Sequence, residues 1–353
     1  MDFVRNAWYV AMWSQDMKEG ELVGRTILNE PVVIFREPGG AVRALEDACP
    51  HRLAPLHLGK LADGGKNIRC AYHGLEFNGA GLCVHNPHAS GRIPKTAQVR
   101  AYPVSEKHSL VWIWMGDRVP DPAAIPDYSL LDGAHPVSKR DFMKMNANYH
   151  LVVDNLLDLS HTSFLHDGLL GTAETVKADT TMKIDGGTIT VSRRIDNMPP
   201  PKFHDLLFQR DGARVDLWMN IRWDFPSCLI NDTGATRPGA PRSEGSGVFG
   251  MHFITPETDA TCWYHFAAVR QNPILRGEPI DSEIMQMVTE LRRYAFEAQD
   301  KPMIEGQQKN MCRMAGKLRP FLPLETDLGT VRVRSILDSM IEKERRGPGT
   351  AAG

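Results

Sequence analysis

Two short stretches each carry one cysteine and one histidine. Residues 49–55 read CPHRLAP and residues 70–74 read CAYHG, which reduces to Cys49-x-His51, eighteen intervening residues and Cys70-x-x-His73. Two thiolates and two imidazoles could hold a tetrahedral zinc ion. Zinc ribbons and knuckles usually draw two cysteines from one loop, whereas here each loop supplies one of each kind. That mixed pairing suits a two-iron cluster in which one iron takes both cysteines and the other both histidines. Neutral imidazoles raise the reduction potential of such a cluster well above that of an all-cysteine one. Pro50, Arg52, Pro55, Tyr72 and Gly74 around the ligands suit two tight shielding loops. Cys83, Cys228, Cys262 and Cys312 belong to no paired motif and read as core or surface thiols. Six cysteines are too few and too scattered for a disulfide scaffold.

Residues 154–166 read DNLLDLSHTSFLH. Asn155, Asp158 and His161 recur every three residues and fall near one face of a helix, with leucines packed around them. His161 and His166 are five apart, so a regular helix cannot aim both at one ion. Joint ligation needs a bulge or helix end between them, and Thr162-Ser163 is the expected place. Two histidines and one carboxylate on one face of iron leave positions open for dioxygen and substrate. The carboxylate must come from elsewhere. Tyr294–Gln308 reads as helix, and Asp300 within it is the expected third ligand, with Glu297 and Glu305 as rivals read as solvated charges.

The elements that would position these residues follow from patterning. Short β-like runs separated by Gly, Pro and Asp fill the first 118 residues, among them Gly24–Leu28, Val32–Phe35, Ala41–Leu45 and Ser109–Met115. Two Pro-bearing stretches, Val119–Pro126 and Asp132–Pro136, read as a linker. A helical pattern near Tyr149–His166 follows, then β-like segments such as Thr188–Arg193 and Val248–Thr255, then a largely helical Ile284–Glu344. The expected fold class is α+β: a β-rich domain over residues 1–125, a domain of antiparallel sheet and helices over 126–345, and a disordered tail over 346–353. Lys and Arg total 41 against 43 Asp and Glu, so a net charge of -2 points away from a nucleic acid or anionic membrane as main partner. With no apolar stretch near ~20 residues and no signal-peptide layout, the expected location is the cytoplasm.

The whole chain resembles one family, the Rieske non-haem iron oxygenases, and within it the aromatic O-demethylases that include vanillate and dicamba monooxygenases. FVRNAWYVA, CPHRLAPL, CAYHGLEF, VHNPH, VWIWMGD, DNLLDLSHTSFLH, FITPET and AQDKPMIE carry the likeness from about residue 3 to 340. The resemblance implies a Rieske [2Fe–2S] domain held by Cys49, His51, Cys70 and His73, and a helix-grip catalytic domain. It also implies mononuclear Fe(II) on His161, His166 and Asp300. Asn155 and Asp158 become catalytic candidates, and Asp158 would bridge the mononuclear site to His73 of the partner subunit in a head-to-tail homotrimer. A ring interface of that kind brings a neighbour's cluster close enough for electron transfer, and a histidine–carboxylate bond would tune both metals.

By the same resemblance, dioxygen is the co-substrate. A methoxy carbon of an aromatic acid is hydroxylated to an unstable hemiacetal that collapses to formaldehyde and a phenol. The one G-x-G-x-x-G match, Gly245 to Gly250, runs into a β-like segment and not a helix. Electrons from NAD(P)H therefore require a separate reductase. His252 in VFGMHFIT and Asn231 after SCLI are polar residues in apolar strands and are the candidate substrate contacts. Arg210, Arg214 and Arg222 are unranked alternatives for a carboxylate. Trp112 and Trp114 alternate on one strand and read as packing; His57, His85 and His88 read as loop or surface residues. Competing readings are hydroxylation of another aromatic acid with the same metals, or an electron-transfer protein with an appended binding domain.

Overall fold

The computed structural model describes residues 3–133, 136–315, 317 and 321–346. Residues 347–353 of the expected tail, and residues 134 and 135 of the second Pro-bearing stretch, lie outside the described residues. One compact unit runs to Ile125 and takes in Thr255–Asp259; the other runs from Pro126 to Ile254 and resumes at Ala260.

The first unit is built from β1 (Trp8–Trp13), β2 (Val23–Ile27), β3 (Glu30–Arg36), β4 (Val42–Glu46), β5 (Lys60–Ala62), β6 (Asn67–Arg69), β7 (Glu76–Asn78), β8 (Cys83–His85), β9 (Ala101–Tyr102), β10 (Val104–Lys107) and β11 (Leu110–Trp114). They form sheets of order β1-β11-β10, β2-β3-β4-β9 and β5-β6-β7-β8. All five residues of β11, LVWIW, are buried, which explains an apolar run without alternation. Trp114 meets Trp8 edge to face at 5.6 Å, so the tryptophans pack this unit. Phe35, Leu45, Leu56, Ile68, Phe77 and Val99 form one core, and Cys49 and Cys70 are part of it.

The second unit contains β12 (Asp141–Met145), β13 (Thr180–Asp185), β14 (Thr188–Met198), β15 (Val215–Asp224), β16 (Cys228–Thr236), β17 (Ser246–Thr258) and β18 (Thr261–Gln271). They make a seven-stranded sheet of order β12-β18-β17-β16-β15-β14-β13. Alternation on β14 turns Ile189, Val191 and Arg193 inward. Around the sheet lie α1 (Tyr149–Leu157), α2 (Lys202–Leu207), α3 (Ile280–Arg293), α4 (Lys301–Arg313) and α5 (Leu328–Arg346). Phe203 and Leu207 of α2 and Ile284 and Val288 of α3 pack on Val248 and Ala268. Burying each such large side chain contributes about 1.5–3 kcal/mol. The Gly245–Gly250 motif runs from the end of a 3-10 turn at Gly245 into β17, in sheet and not at a helix start.

Two helical expectations are corrected. The helix starting at Tyr149 stops at Leu157, not at Thr162-Ser163, and Asp158 is already extended at φ -83°, ψ 90°. The Asp158 carboxylate accepts from the Ser160 N–H at 2.8 Å, a local bond that competes with further helix. A separate 3-10 turn then covers His161–Ser163. The C-terminal stretch is also discontinuous: a π-helix, Tyr294–Asp300, separates α3 from α4. Non-helical residues around Pro323 precede α5, where proline cannot continue an α-helical hydrogen-bond ladder.

Candidate metal centres

The two Cys/His loops share one construction. The Cys49 N–H donates to Ala54 O at 2.9 Å and the Leu53 N–H donates back to Cys49 O at 2.7 Å. The Cys70 N–H donates to Leu75 O at 2.9 Å and the Gly74 N–H to Cys70 O at 3.0 Å. Leu53 and Gly74, each four residues after its cysteine, take positive φ values of 55° and 76°. Glycine adopts that turn freely; leucine does so at a steric cost. Both cysteines are rooted in the core at 2% exposure. Burial, with the Cys70 thiol beside it, pushes the Cys49 thiol up to about 11. His51 is exposed and His73 half-buried, and their rings lie 4.4 Å apart. Thiols thus pair at the inner end and imidazoles at the outer end. That division fits a binuclear cluster with chemically distinct ends. His88, an exposed loop residue as expected, also donates from Nε2 to the His73 carbonyl at 2.7 Å and so braces the second loop.

In the second unit, ligand atoms of His161, His166 and Asp300 all lie within 4.8 Å of one another. Asp300 Oδ1 is 3.5 Å from His161 Nε2 and 3.2 Å from His166 Nε2. Each imidazole is oriented from behind: His161 Nδ1 donates to the Asp158 carbonyl, and His166 Nδ1 donates to Gln299 Oε1 at 2.9 Å. With both Nδ1 protons so committed, both Nε2 atoms face Asp300 and are the ones a metal would bind. Burial lowers the pKa of His161 against the opposing pull of Asp300 and Asp158. For His166, burial is outweighed by the hydrogen bond and charge of Asp300, and the pKa rises. A metal would displace the Nε2 proton of His166, and two imidazoles with one carboxylate are then a donor set suited to a ferrous ion with open positions.

The local folds explain how these side chains meet. The helix break at Asp158 supplies the irregularity that the five-residue His spacing demands. On the other side, the wider i→i+5 turns of the π-helix re-aim its last residues. Gln299 reaches His166 and donates from Nε2 to Leu165 O at 2.7 Å, while Asp300 meets both imidazoles. Asn155 donates from Nδ2 to Asp300 Oδ1 at 3.0 Å. Among the rivals, Glu297 is exposed. Glu305 is engaged elsewhere and not merely solvated, accepting from Asn146 N at 3.0 Å and Nδ2 at 3.1 Å.

The same three residues border a cavity that also includes Asn231, His252, His204 and Arg292. Its remaining wall is largely apolar, with Leu156, Met219, Ile221, Val248 and Phe296. His252 Nδ1 bonds the Tyr264 hydroxyl at 2.7 Å, and burial holds its pKa down at about 3. His252 Nε2 and Asn231 Oδ1 are buried without partners among the described residues. The Arg292 guanidinium, pushed down to about 10 by burial, bonds only neutral groups, Ser138 Oγ at 3.0 Å and Lys139 O at 3.3 Å, among the described residues. Gln299, Arg292 and His204 were not singled out from sequence. Arg210, Arg214 and Arg222 are absent from this wall. Arg210 is exposed, Arg214 bonds Asn197 Oδ1 at 2.9 Å and Arg222 bonds Asp224 at 2.9 Å.

Comparison with known proteins agrees with this division. Residues 7–103 match the Rieske [2Fe-2S] domain, and residues 145–343 match the vanillate O-demethylase oxygenase C-terminal domain. The chain is 36% identical over 347 residues to the oxygenase component of dicamba O-demethylase from Stenotrophomonas maltophilia, covering 98% of this chain and 99% of that one. It is 37% identical over 355 residues to the iron-sulfur subunit of a toluene-4-sulfonate monooxygenase system from Comamonas testosteroni, with the same coverage of both. The crystal structure of dicamba monooxygenase bound to 3,6-dichlorosalicylic acid superposes with a TM-score of 0.89 at 34% identity, covering 98% of this chain and 99% of that chain. Two cysteine–histidine loops in one unit, a histidine–carboxylate triad in the other and full-length similarity lead to one assignment: the chain belongs to the Rieske non-haem iron monooxygenases, as an oxygenase component.

Proposed function

We propose that this chain is the terminal oxygenase of a system that oxidatively O-demethylates a methoxylated, vanillate-like aromatic acid, releasing formaldehyde and a phenol. The observation that carries the reading is the cavity: apolar over most of its wall, bordered by His161, His166 and Asp300, and furnished with an anion-compatible group of Asn231, His252 and Arg292. Cys49, His51, Cys70 and His73 would hold the [2Fe–2S] cluster, and His161, His166 and Asp300 the Fe(II). When bound, these centres would supply single electrons and oxygen activation, with O2 as co-substrate and NAD(P)H acting through a separate reductase.

The chain's own residues do the rest. His252, kept neutral by burial, receives the Tyr264 O–H on Nδ1. That hydroxyl has no other acceptor among the described residues, so Nε2 carries the proton and donates toward a carboxylate. Arg292 adds positive charge, and the Asn231 amide a further polar contact. Apolar side chains exclude water and hold the methoxy group toward the triad. Asn155 orients Asp300, and Asp158 fixes His161 through its carbonyl. The Asp158 carboxylate is the proposed bridge to His73 of the partner subunit in a cytoplasmic homotrimer. Likeness to a toluene-4-sulfonate monooxygenase subunit favours a second reading, hydroxylation of an aromatic acid without loss of carbon. Reconstitution with reductase and a methoxybenzoate separates them. Formaldehyde released in step with substrate loss supports demethylation, and a hydroxylated product that keeps its methyl carbon contradicts it.

A further inference from the structure

His204, on α2, lines the same cavity as the triad and is 2% exposed. Its Nε2 lies 2.7 Å from Thr233 Oγ1. The Thr233 hydroxyl spends its single proton on the Trp218 carbonyl at 3.0 Å. It can therefore only accept from His204, which fixes the proton on Nε2 and leaves Nδ1 as a bare acceptor. Nδ1 is buried and has no partner among the described residues. Burial also holds this imidazole neutral, with its pKa lowered to about 3, so Nδ1 does not escape its isolation by protonating. An unpaired buried acceptor is costly, and a ligand that donates to it recovers that cost.

The placement is informative. Asn231 and Thr233 are two residues apart on β16, so they share a face at a separation of ~7 Å. Opposite them on β17 stand Gly250 and Val248 respectively. His252 Nε2 leans over Gly250, where an added Cβ would come within 2.9 Å of it, so the donor from His252 sits at the level of Asn231. The anion group and the Thr233–His204 pair are thus about one substituted benzene ring apart along the sheet. The Asn231 amide can turn to offer a donor or an acceptor; His204 cannot.

Resting on the reading of this cavity as an aromatic-acid site, we propose that the His204–Thr233 pair is a second polar anchor that accepts a hydrogen bond from a ring hydroxyl, so that the enzyme selects phenolic methoxy acids over their non-hydroxylated counterparts. The test is calorimetric binding to the iron-loaded protein, without turnover. It uses 4-hydroxy-3-methoxybenzoate against 3-methoxybenzoate, and the carboxylate-free pair 2-methoxyphenol against methoxybenzene. The hydroxylated member of each pair should bind ~10–100-fold tighter, the range expected when a buried acceptor gains or lacks its partner. His204→Leu should collapse both ratios to about one. Thr233→Val, which deletes the group that fixes the tautomer, should narrow both ratios. Equal binding within each pair in the unaltered protein, or ratios that survive His204→Leu, would overturn the proposal. If the neutral pair discriminates but neither acid binds, the anchor stands and the aromatic-acid reading falls. If none of the four binds, both fall.

Discussion

Replacing Gln299 with leucine removes two hydrogen bonds behind one proposed iron ligand: the 2.9 Å bond that receives His166 Nδ1–H and the 2.7 Å bond to the Leu165 carbonyl. His166 is 1% exposed, so water does not replace the lost acceptor. An unpaired buried donor costs about 1–3 kcal/mol. Loss of an outer partner of a metal-binding histidine typically lowers metal affinity ~10–100-fold, which is about 1.4–2.8 kcal/mol at 1.4 kcal/mol per decade. The two routes give the same size. Titration of the iron-depleted mononuclear site with Fe(II) against a competing chelator should show that weakening in Gln299→Leu, with the visible absorbance of the cluster unchanged as an internal control. Gln299→Glu keeps an acceptor for His166 and should recover most of the affinity. Unaltered Fe(II) affinity in a folded Gln299→Leu protein would refute the claim that the π-helix positions both a ligand and its support.

Gly250→Ala should raise the dissociation constant of a methoxybenzoate ~10-fold or more, because its Cβ would stand 2.9 Å from His252 Nε2 and displace a hydrogen bond to a charged group; calorimetry on the purified variant checks this. Asp158→Asn keeps the backbone carbonyl that holds His161 and should retain both metals, yet slow electron delivery in single-turnover stopped-flow. Normal rates would count against the bridge. His150, His204 and His252 are each held near a pKa of about 3 by burial, against about 6.5 when unfolded. Between those values the unfolded chain binds more protons, so stability falls as pH drops below about 6.5. At pH 5.5 the three together remove about 4 kcal/mol relative to neutral pH. Denaturant unfolding at pH 7.5 and 5.5 should show the loss, and each His→Gln change, if it folds, should reduce it.

The candidate ligands were legible because chemistry restricts them: Cys and His at 49, 51, 70 and 73, and two His with nearby acids at 154–166, have few other uses together. The strands were legible where burial is uniform, as in LVWIW, or alternates, as in Thr188–Arg193. Helix ends were not. The break at Asp158 depends on a side chain competing with the helix for a backbone N–H, and the π-helix at Tyr294–Asp300 leaves no periodicity that separates it from its α-helical neighbours. Gln299 and Arg292 were invisible for the same reason, since their roles depend on the π-turn and on α3 facing β18. Asn231 and His252 could be singled out as polar breaks in apolar strands. His204 could not: it lies in a short helix, and only the chain Trp218–Thr233–His204, spanning three elements, gives it meaning.

Everything proposed for this chain requires two separate iron centres within it. Counting iron in fully loaded protein, together with spin-resonance spectra of the reduced form before and after nitric oxide, decides whether both are present. About three iron atoms per chain are expected, two in the reduced cluster signal and one ferrous ion that binds nitric oxide. That third signal should vanish in His161→Ala with the cluster signal intact. Two irons with no nitric oxide adduct, or zinc in place of the cluster, would contradict this expectation.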